Sequence, residues 1–443
     1  MAKRDGRLLR WDIYETHLDE AAFRWSQWEQ SLDAPDFTLT DVAELEEQLT
    51  AHLDGLVLGG APVAQRLLEP ALTSEDPERI VAAALALLGS AGPAGPSALL
   101  ASLPEAEEAV LTSLQRAFEL HCPPDLGAGL SSLLKQGDTR PELQALALDT
   151  LGAHRLADAP LCQPFVAHPN PAVAAAALRA ASHSGVPIEP TAIQRALESS
   201  APRLRDAAIV AGLRAGHRSA WAACQAAAEP QGRGGRLPLL ALALNGDERD
   251  MKVLLGLLSV EPRRPDVLWA LGFSGRLAAA EACLEWMRDT STAPLAGEAF
   301  SAITGLRLEG PFVRPPEEAE AEEPAPMEDE DLDADLKPKP EDALPIPDAA
   351  QVAAWWKENR PRFDAKQRYL AGQPLTPQTL LEALTVAPMR RRHALALELA
   401  FRSRGAIHVP TRRWVSTQLQ AWTEARSAPA SSYSRPFAEG LRG

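Results

Sequence analysis

The nine histidines are the first residues to test for chemistry, and their spacing is unreactive. His17, His52, His121, His154, His168, His183, His217, His393 and His408 include no His-Glu-x-x-His pair, the spacing that holds zinc beside a general base on one helix face. No Gly-x-Ser-x-Gly elbow presents a nucleophilic serine. His154 with His168, or His183 with His217, can converge if the chain is built from repeats, but a metal would still need a third ligand. Cys122, Cys162, Cys224 and Cys283 stand 40, 62 and 59 residues apart, far from the close pairing of a zinc knuckle or redox motif. Each lies in or near an apolar run, as a buried thiol would. Glu15, Asp19, Glu20, Glu44, Glu46 and Glu47 crowd the N-terminal region, yet no aromatic platform accompanies them as a glycosidase cleft requires. Gln231-Gly232-Arg233-Gly234-Gly235-Arg236 offers glycines for an anion nest but lacks the Lys-Ser/Thr of a nucleotide-binding loop. The expectation is a protein that is not an enzyme and uses no metal or cofactor.

The elements that position these residues are helical. Composition is 46% hydrophobic with many Ala and Leu, and aromatic residues make 5%. Those are helix-tolerant residues, and the Val/Ile/Thr alternation of a sandwich or barrel is missing. Across the first 310 residues short aliphatic runs return, each opened by a turn with Pro, Asp or Gly. Asp76-Pro77 precedes Ile80–Leu88, Arg140-Pro141 precedes Leu143–Leu151, and Asn170-Pro171 precedes Val173–Leu178. Ala201-Pro202-Arg203 then precedes Ala207–Leu213. Pro141 to Pro171 is 30 residues and Pro171 to Arg203 is 32, a length that fits two short helices and their turns. Such a period predicts an all-α, alpha-solenoid fold of antiparallel helix pairs with a small helical C-terminal module. A single pair cannot bury enough surface, so neighbours must share one apolar seam.

Five stretches follow from this pattern. Residues 1–70 read as an N-terminal helical cap, with Trp11, Tyr14, Leu18, Trp25 and Trp28 at three- and four-residue steps. In that cap Asp41 is expected to start a second helix, with Glu44 at its third position. Residues 71–310 form the degenerate array. Residues 311–347 are an acidic, Pro-rich linker expected to be disordered. Residues 348–424 make the C-terminal module, with Thr376 as N-cap and Pro377 at the first helical position. A flexible tail runs from 425 to 443.

Charge is uneven. The formal net is −16, and 317–342 holds thirteen acidic residues against Lys337 and Lys339. The remainder is near neutral and carries no basic stripe, so nucleic acid is not expected as a partner. Arg390-Arg391-Arg392 with Arg402, Arg404, Arg412 and Arg413 makes the C-terminal region locally basic, able to receive an acidic patch, the chain's own 317–342 tract included. No signal-like apolar segment and no run of 18 uncharged apolar residues occurs, so neither secretion nor membrane insertion is expected. Reduced, widely spaced cysteines suit the cytoplasm.

Solenoids bind more often than they react, so candidate site residues are contact residues. Trp25 and Trp28 are possible anchors if exposed, since tryptophan often dominates interfaces. Arg203, Arg205 and Arg214 are candidates for a polar rim on one inner face. The partner expected is a protein; the oligomeric state is open.

The opening Trp11-Asp12-Ile13-Tyr14-Glu15-Thr16-His17-Leu18, then Trp25 to Trp28, resembles the start of a bacterial family of HEAT-like-repeat proteins. The likeness continues through Ala43-Glu44-Leu45-Glu46-Glu47 and His52-Leu53-Asp54-Gly55-Leu56, and later through Leu268-Trp269-Ala270-Leu271-Gly272 and Leu375-Thr376-Pro377. Members of that family occur in myxobacteria and pseudomonads, often near genes for type VI secretion effectors and their spike proteins. The resemblance implies a scaffold or adaptor for an effector or spike, or an immunity protein that blocks a toxin. It carries over no catalytic residues.

Overall fold

The computed structural model describes residues 3–4, 7–229, 231–232, 234–314, 339–429, 433–434 and 437–441. The chain is all-α and built from short helices, with two-residue strand pairs at Lys3–Arg4 with Arg7–Leu8 and at Tyr369–Leu370 with Gln373–Pro374. Among the described residues no helix is long and apolar enough to cross a membrane. The acidic stretch expected to be disordered falls largely on 315–338, outside the described residues.

Prolines set the helix starts. Helices begin at Pro77, Pro124, Pro141, Pro171, Pro190 and Pro202, where a fixed backbone angle is useful and the missing N–H costs nothing. Asp76 and Asn170 add side-chain caps, each accepting hydrogen bonds from two backbone amides of the first turn. Thr376 caps the Pro377–Val386 helix as expected. The second helix differs from expectation. It runs Leu39–Gly59, and its N-cap is Thr38, with Asp41 at the third position closing the capping box. Thr38 supplies a hydroxyl that can accept an amide while Asp41 reaches back, so the box begins three residues earlier than the acidic residue suggests.

The described residues form two compact units, one of Met1–Leu32, Phe37–Ala223 and Leu399–Gly443, the other of Asp33–Asp36 and Cys224–Glu398. The stretch read from sequence as a C-terminal module, 348–424, contributes residues to both.

In the first unit, Pro77–Gly89, Glu108–Leu120, Pro141–Ala153, Pro171–Ser184 and Pro202–Ala215 pack consecutively, each on the next. Between them lie partner helices such as Pro124–Leu133 and Pro190–Leu197. Alanine makes this stacking close. Ala174, Ala175, Ala176 and Ala177 are all buried, and Gly152 lies against the neighbouring backbone at Ala180. Gly185 and Gly216 end their helices at φ 71° and 79°, the left-handed caps that glycine adopts without a Cβ penalty. One continuous cluster joins Ala174, Leu178, Ile193, Leu204 and Ala208 across three helices. Each fully buried Leu or Ile there contributes about 1.5–3 kcal/mol. In the second unit Arg236–Asn245, Arg264–Leu271 and Ala293–Thr304 stack in the same way, with Glu248–Leu257 and Leu277–Trp286 as their partners.

Candidate functional site

The first unit carries a groove of about 380 Å³ where the rhythm of paired helices falters. The helix Ala159–Cys162 is a single turn, whereas its counterpart Pro124–Leu133 has 10 residues. Pro160 and Pro164 bracket that turn, and the chain continues through Gln163–Ala167 without a helix. The missing length leaves Val166, Ala174, Ala196 and Leu204 as an apolar lining. Arg195, Glu198, Ser199 and His168 supply polar groups around it.

The rim is held from below. Arg205 Nη1 donates to the carbonyls of Ser199 and Ser200 at 2.9 and 3.0 Å. Ser199 Oγ accepts the Ala201 amide at 3.2 Å, and Glu198 accepts from Gln194 at 2.7 Å. His168 Nδ1 accepts the Asn170 amide at 3.2 Å, which leaves its other nitrogen as the N–H of the neutral ring. The arrangement suits recognition of an apolar side chain flanked by polar backbone or charge. Among the described residues no hydrogen bond joins Ser199 to His168.

Of the expected contact residues, Arg205 stands at this groove as a support for its rim. Arg203, two residues earlier and so about half a turn around the same helix, is exposed. Arg214 lies about 14 Å farther along the helix axis and is buried, so the three do not form one rim. Trp25 and Trp28 fail the condition of exposure. Trp28 is fully buried and Trp25 is 4% exposed, their rings tilted against each other at 5.3 Å, with Trp414 at 4.9 Å from Trp28. Their apolar area is spent on the chain itself because the segment after Pro410 folds against them. Trp28 Nε1 also donates to Glu46 at 3.3 Å, which in turn accepts the Val415 amide.

Two of the strongly displaced groups, His154 and Glu341, serve internal pairs. His154 Nε2 donates to the Phe118 carbonyl at 2.8 Å, and its Nδ1 faces Arg413 at 3.2 Å. Burial, then the Arg413 charge, lowers His154 to about 4. Arg413 also donates to the carbonyls of Ala153 and Leu120, so one guanidinium caps the C-terminal ends of two helices, where the macrodipole favours a cation. Neither pairing is readable from spacing, since Arg413 lies 259 residues beyond His154. The nearest sequence signal was the basic run ending at Arg413.

In the second unit the Arg390-Arg391-Arg392 run is buried. Arg390 meets Glu298 at 3.1 Å and Glu341 at 3.2 Å, and Arg236 meets Glu341 at 2.7 Å. Burial alone would raise Glu341, but the hydrogen bond from Arg236 and the charge of Arg390 hold it down at about 2. Arg391 donates to Gly272 O at 2.8 Å and Arg392 to Leu384 O at 2.6 Å. Among the described residues the triplet meets Glu341 of the 317–342 tract, Glu298 and the carbonyls of Gly272 and Leu384. Burial pushes the thiols of Cys122 and Cys162 up to about 11 and that of Cys283 to about 12. His183 stacks on His408 at 4.9 Å, a pairing that the sequence spacing does not suggest. Among the described residues no three His, Cys, Asp or Glu side chains converge for a metal.

No protein-family model matches the chain, and no curated protein matches it. Two solved structures are similar in part. The Escherichia coli protein YibA aligns at 12% identity over 68% of this chain and 98% of its own, with a TM-score of 0.31. Human deoxyhypusine hydroxylase, solved with glycerol, aligns at 19% identity over 55% of this chain and 96% of its own, with a TM-score of 0.25. Scores this low carry no argument about function.

Proposed function

We propose that the chain is a non-enzymatic protein-binding scaffold or adaptor, with the groove over Val166, Ala174, Ala196 and Leu204 as a contact site for a protein partner. The observation that carries this reading is the groove itself, an apolar lining with a polar rim pinned by Arg205. Its volume falls within the roughly 300–1,000 Å³ of ligand clefts. A rim fixed before binding lowers the ordering cost that otherwise erodes affinity. The shifted groups support the same reading, since His154 and Glu341 are each accounted for by a partner within the chain rather than poised in a cleft. The four free cysteines suit residence in a reducing cytoplasm.

By the resemblance to the HEAT-like-repeat family, a type VI effector or its spike is the first partner to try, and a toxin held inactive is the second. The experiment is affinity capture from native lysate with the wild type, with Ala192→Trp filling the groove, and with Ala51→Trp on a distant exposed helix face. A specific protein retained by the wild type and Ala51→Trp but lost by a folded Ala192→Trp supports the proposal. Equal capture by all three removes the groove from it. Recovery of a toxin whose activity falls on stoichiometric addition of the chain would select the immunity role over the adaptor.

A further inference from the structure

Arg214 stands out among the arginines of the first unit. Its side chain is 4% exposed, and its Nε and Nη2 have no hydrogen-bond partner among the described residues. Other arginines in the same unit show what that edge of the guanidinium is for. Arg116 turns Nε onto Glu29 Oε1 at 3.1 Å and Nη2 onto Oε2 at 2.8 Å, and Arg179 turns the same two atoms onto the two oxygens of Asp149 at 2.8 and 2.7 Å. Two parallel N–H groups match the two oxygens of a planar carboxylate. For Arg214 burial, then the charge of Arg155, lowers the pKa to about 10, so the neighbouring charge is repulsive. A buried guanidinium without an acceptor is costly, and such a group calls for an anion.

The surroundings are shaped for an approach from outside. Gly405 lies over the unpaired edge, where a Cβ would stand 3.4 Å from Nε and 3.6 Å from Nη2. Arg404 and Gly405 both adopt positive φ, 52° and 75°, and for Arg404 that conformation is strained. Lifting the covering turn relieves that strain in exchange for the bonds from the Gly405 amide to Ala400 O at 2.7 Å and from the Arg404 amide to Phe401 O at 3.1 Å. Arg155 and Arg404 are exposed. Gly216, two residues beyond Arg214, faces the Gly440 carbonyl and the Arg404 side chain. Positive charge converges here on a turn that glycine keeps thin.

We propose that Arg214, with Arg155 and Arg404 at the rim, binds the carboxylate of an acidic residue on a protein partner through its Nε–Nη2 edge as the Arg404–Gly405 turn lifts. This rests on the reading of the chain as a protein-binding scaffold and adds the chemistry of what it binds. The carboxylate is favoured over a phosphate because the side-on edge already takes carboxylates at Arg116 and Arg179.

The test is fluorescence anisotropy of a labelled hexaglutamate peptide with the full chain at fixed ionic strength, beside NMR of the arginine Nε–H resonances. The wild type should bind, the Arg214 Nε–H resonance should shift, and Arg214→Met should weaken binding at least tenfold. Arg214→Met should also melt no lower than the wild type, because it removes a buried charge that has no acceptor. Arg214→Lys, which keeps the charge but not the two-pronged edge, should lose most of the affinity. No binding by the wild type, or binding within twofold in Arg214→Met, overturns the proposal, as does displacement of the peptide by millimolar inorganic phosphate at constant ionic strength. Unfolding of both variants would also overturn it, by making the guanidinium a structural necessity. Ala192→Trp should bind the peptide like the wild type, so failure of the groove and failure of this site are read separately.

Discussion

At the scale of single residues, the chain places ionisable groups where their partners fix one protonation state. His154 is the clearest case. As a neutral ring it donates to Phe118 O and accepts from Arg413, and protonation would set two cations face to face. Its folded pKa, about 4, lies below the unfolded value near 6.5, so the unfolded chain binds the proton first. The stabilisation is therefore complete above pH 6.5 and is lost as pH falls toward 4, amounting to roughly 3 kcal/mol across that window. His121, lowered chiefly by burial, acts in the same direction. His154→Gln cannot gain this charge. Denaturant unfolding at pH 7 and pH 4.5 should show a smaller acid loss in the variant than in the wild type. Equal losses would mean that the ring is solvated and the Arg413 contact immaterial.

At the scale of elements, glycine and alanine decide how near two helices come. A Cβ at Gly152 would fall 2.5 Å from the Ala180 Cα, and backbone on a packed helix cannot move aside cheaply. Gly152→Ala should cost about 1–3 kcal/mol, read as a lower denaturation midpoint at unchanged slope. Gly256 is the contrasting position, in the exposed part of Glu248–Leu257 with nothing within 4 Å of its added methyl. Gly256→Ala should stabilise by about 0.4–1 kcal/mol through the unfolded chain's lost freedom. A destabilised Gly256→Ala would contradict the helical conformation there. Helix starts were legible in advance because Pro, Asp and Asn act on their immediate neighbours. The Pro171 and Pro202 helices begin where their prolines stand. A capping box reads equally well from either of its ends, so Asp41 by itself does not point to Thr38 as the N-cap.

At the scale of the whole molecule, local signals stop short of what closes the first unit. The period of about 30 residues yields the stacked helices, yet the groove depends on one helix ending after Cys162, and a run of Ala-Pro-Leu-Cys does not announce that length. Nor does the chain announce that 412–415 returns to its beginning. Arg412 and Arg116 share Glu29, Arg116 also donates to the Arg412 carbonyl, and Glu46 receives the Val415 amide. These partners are separated by 296 to 383 residues, beyond any periodicity. Sequence alone therefore leaves Trp25 and Trp28 as cap residues or, if exposed, anchors, whereas Trp414 packs on Trp28 at 4.9 Å. The dependence has a direct consequence. Deleting 411–443 uncovers Trp28, leaves Glu46 half-buried without its amide donor, and frees the helix ends that Arg413 caps. Unpaired buried groups cost more than exposed ones, so the loss falls on the unit that contains residues 37–223. Calorimetry should resolve a lowered transition for that unit, with red-shifted tryptophan emission, while the transition of 224–398 keeps its temperature. A truncated chain that melts in one unchanged transition would show that the closing segment is a passenger on a stack already complete.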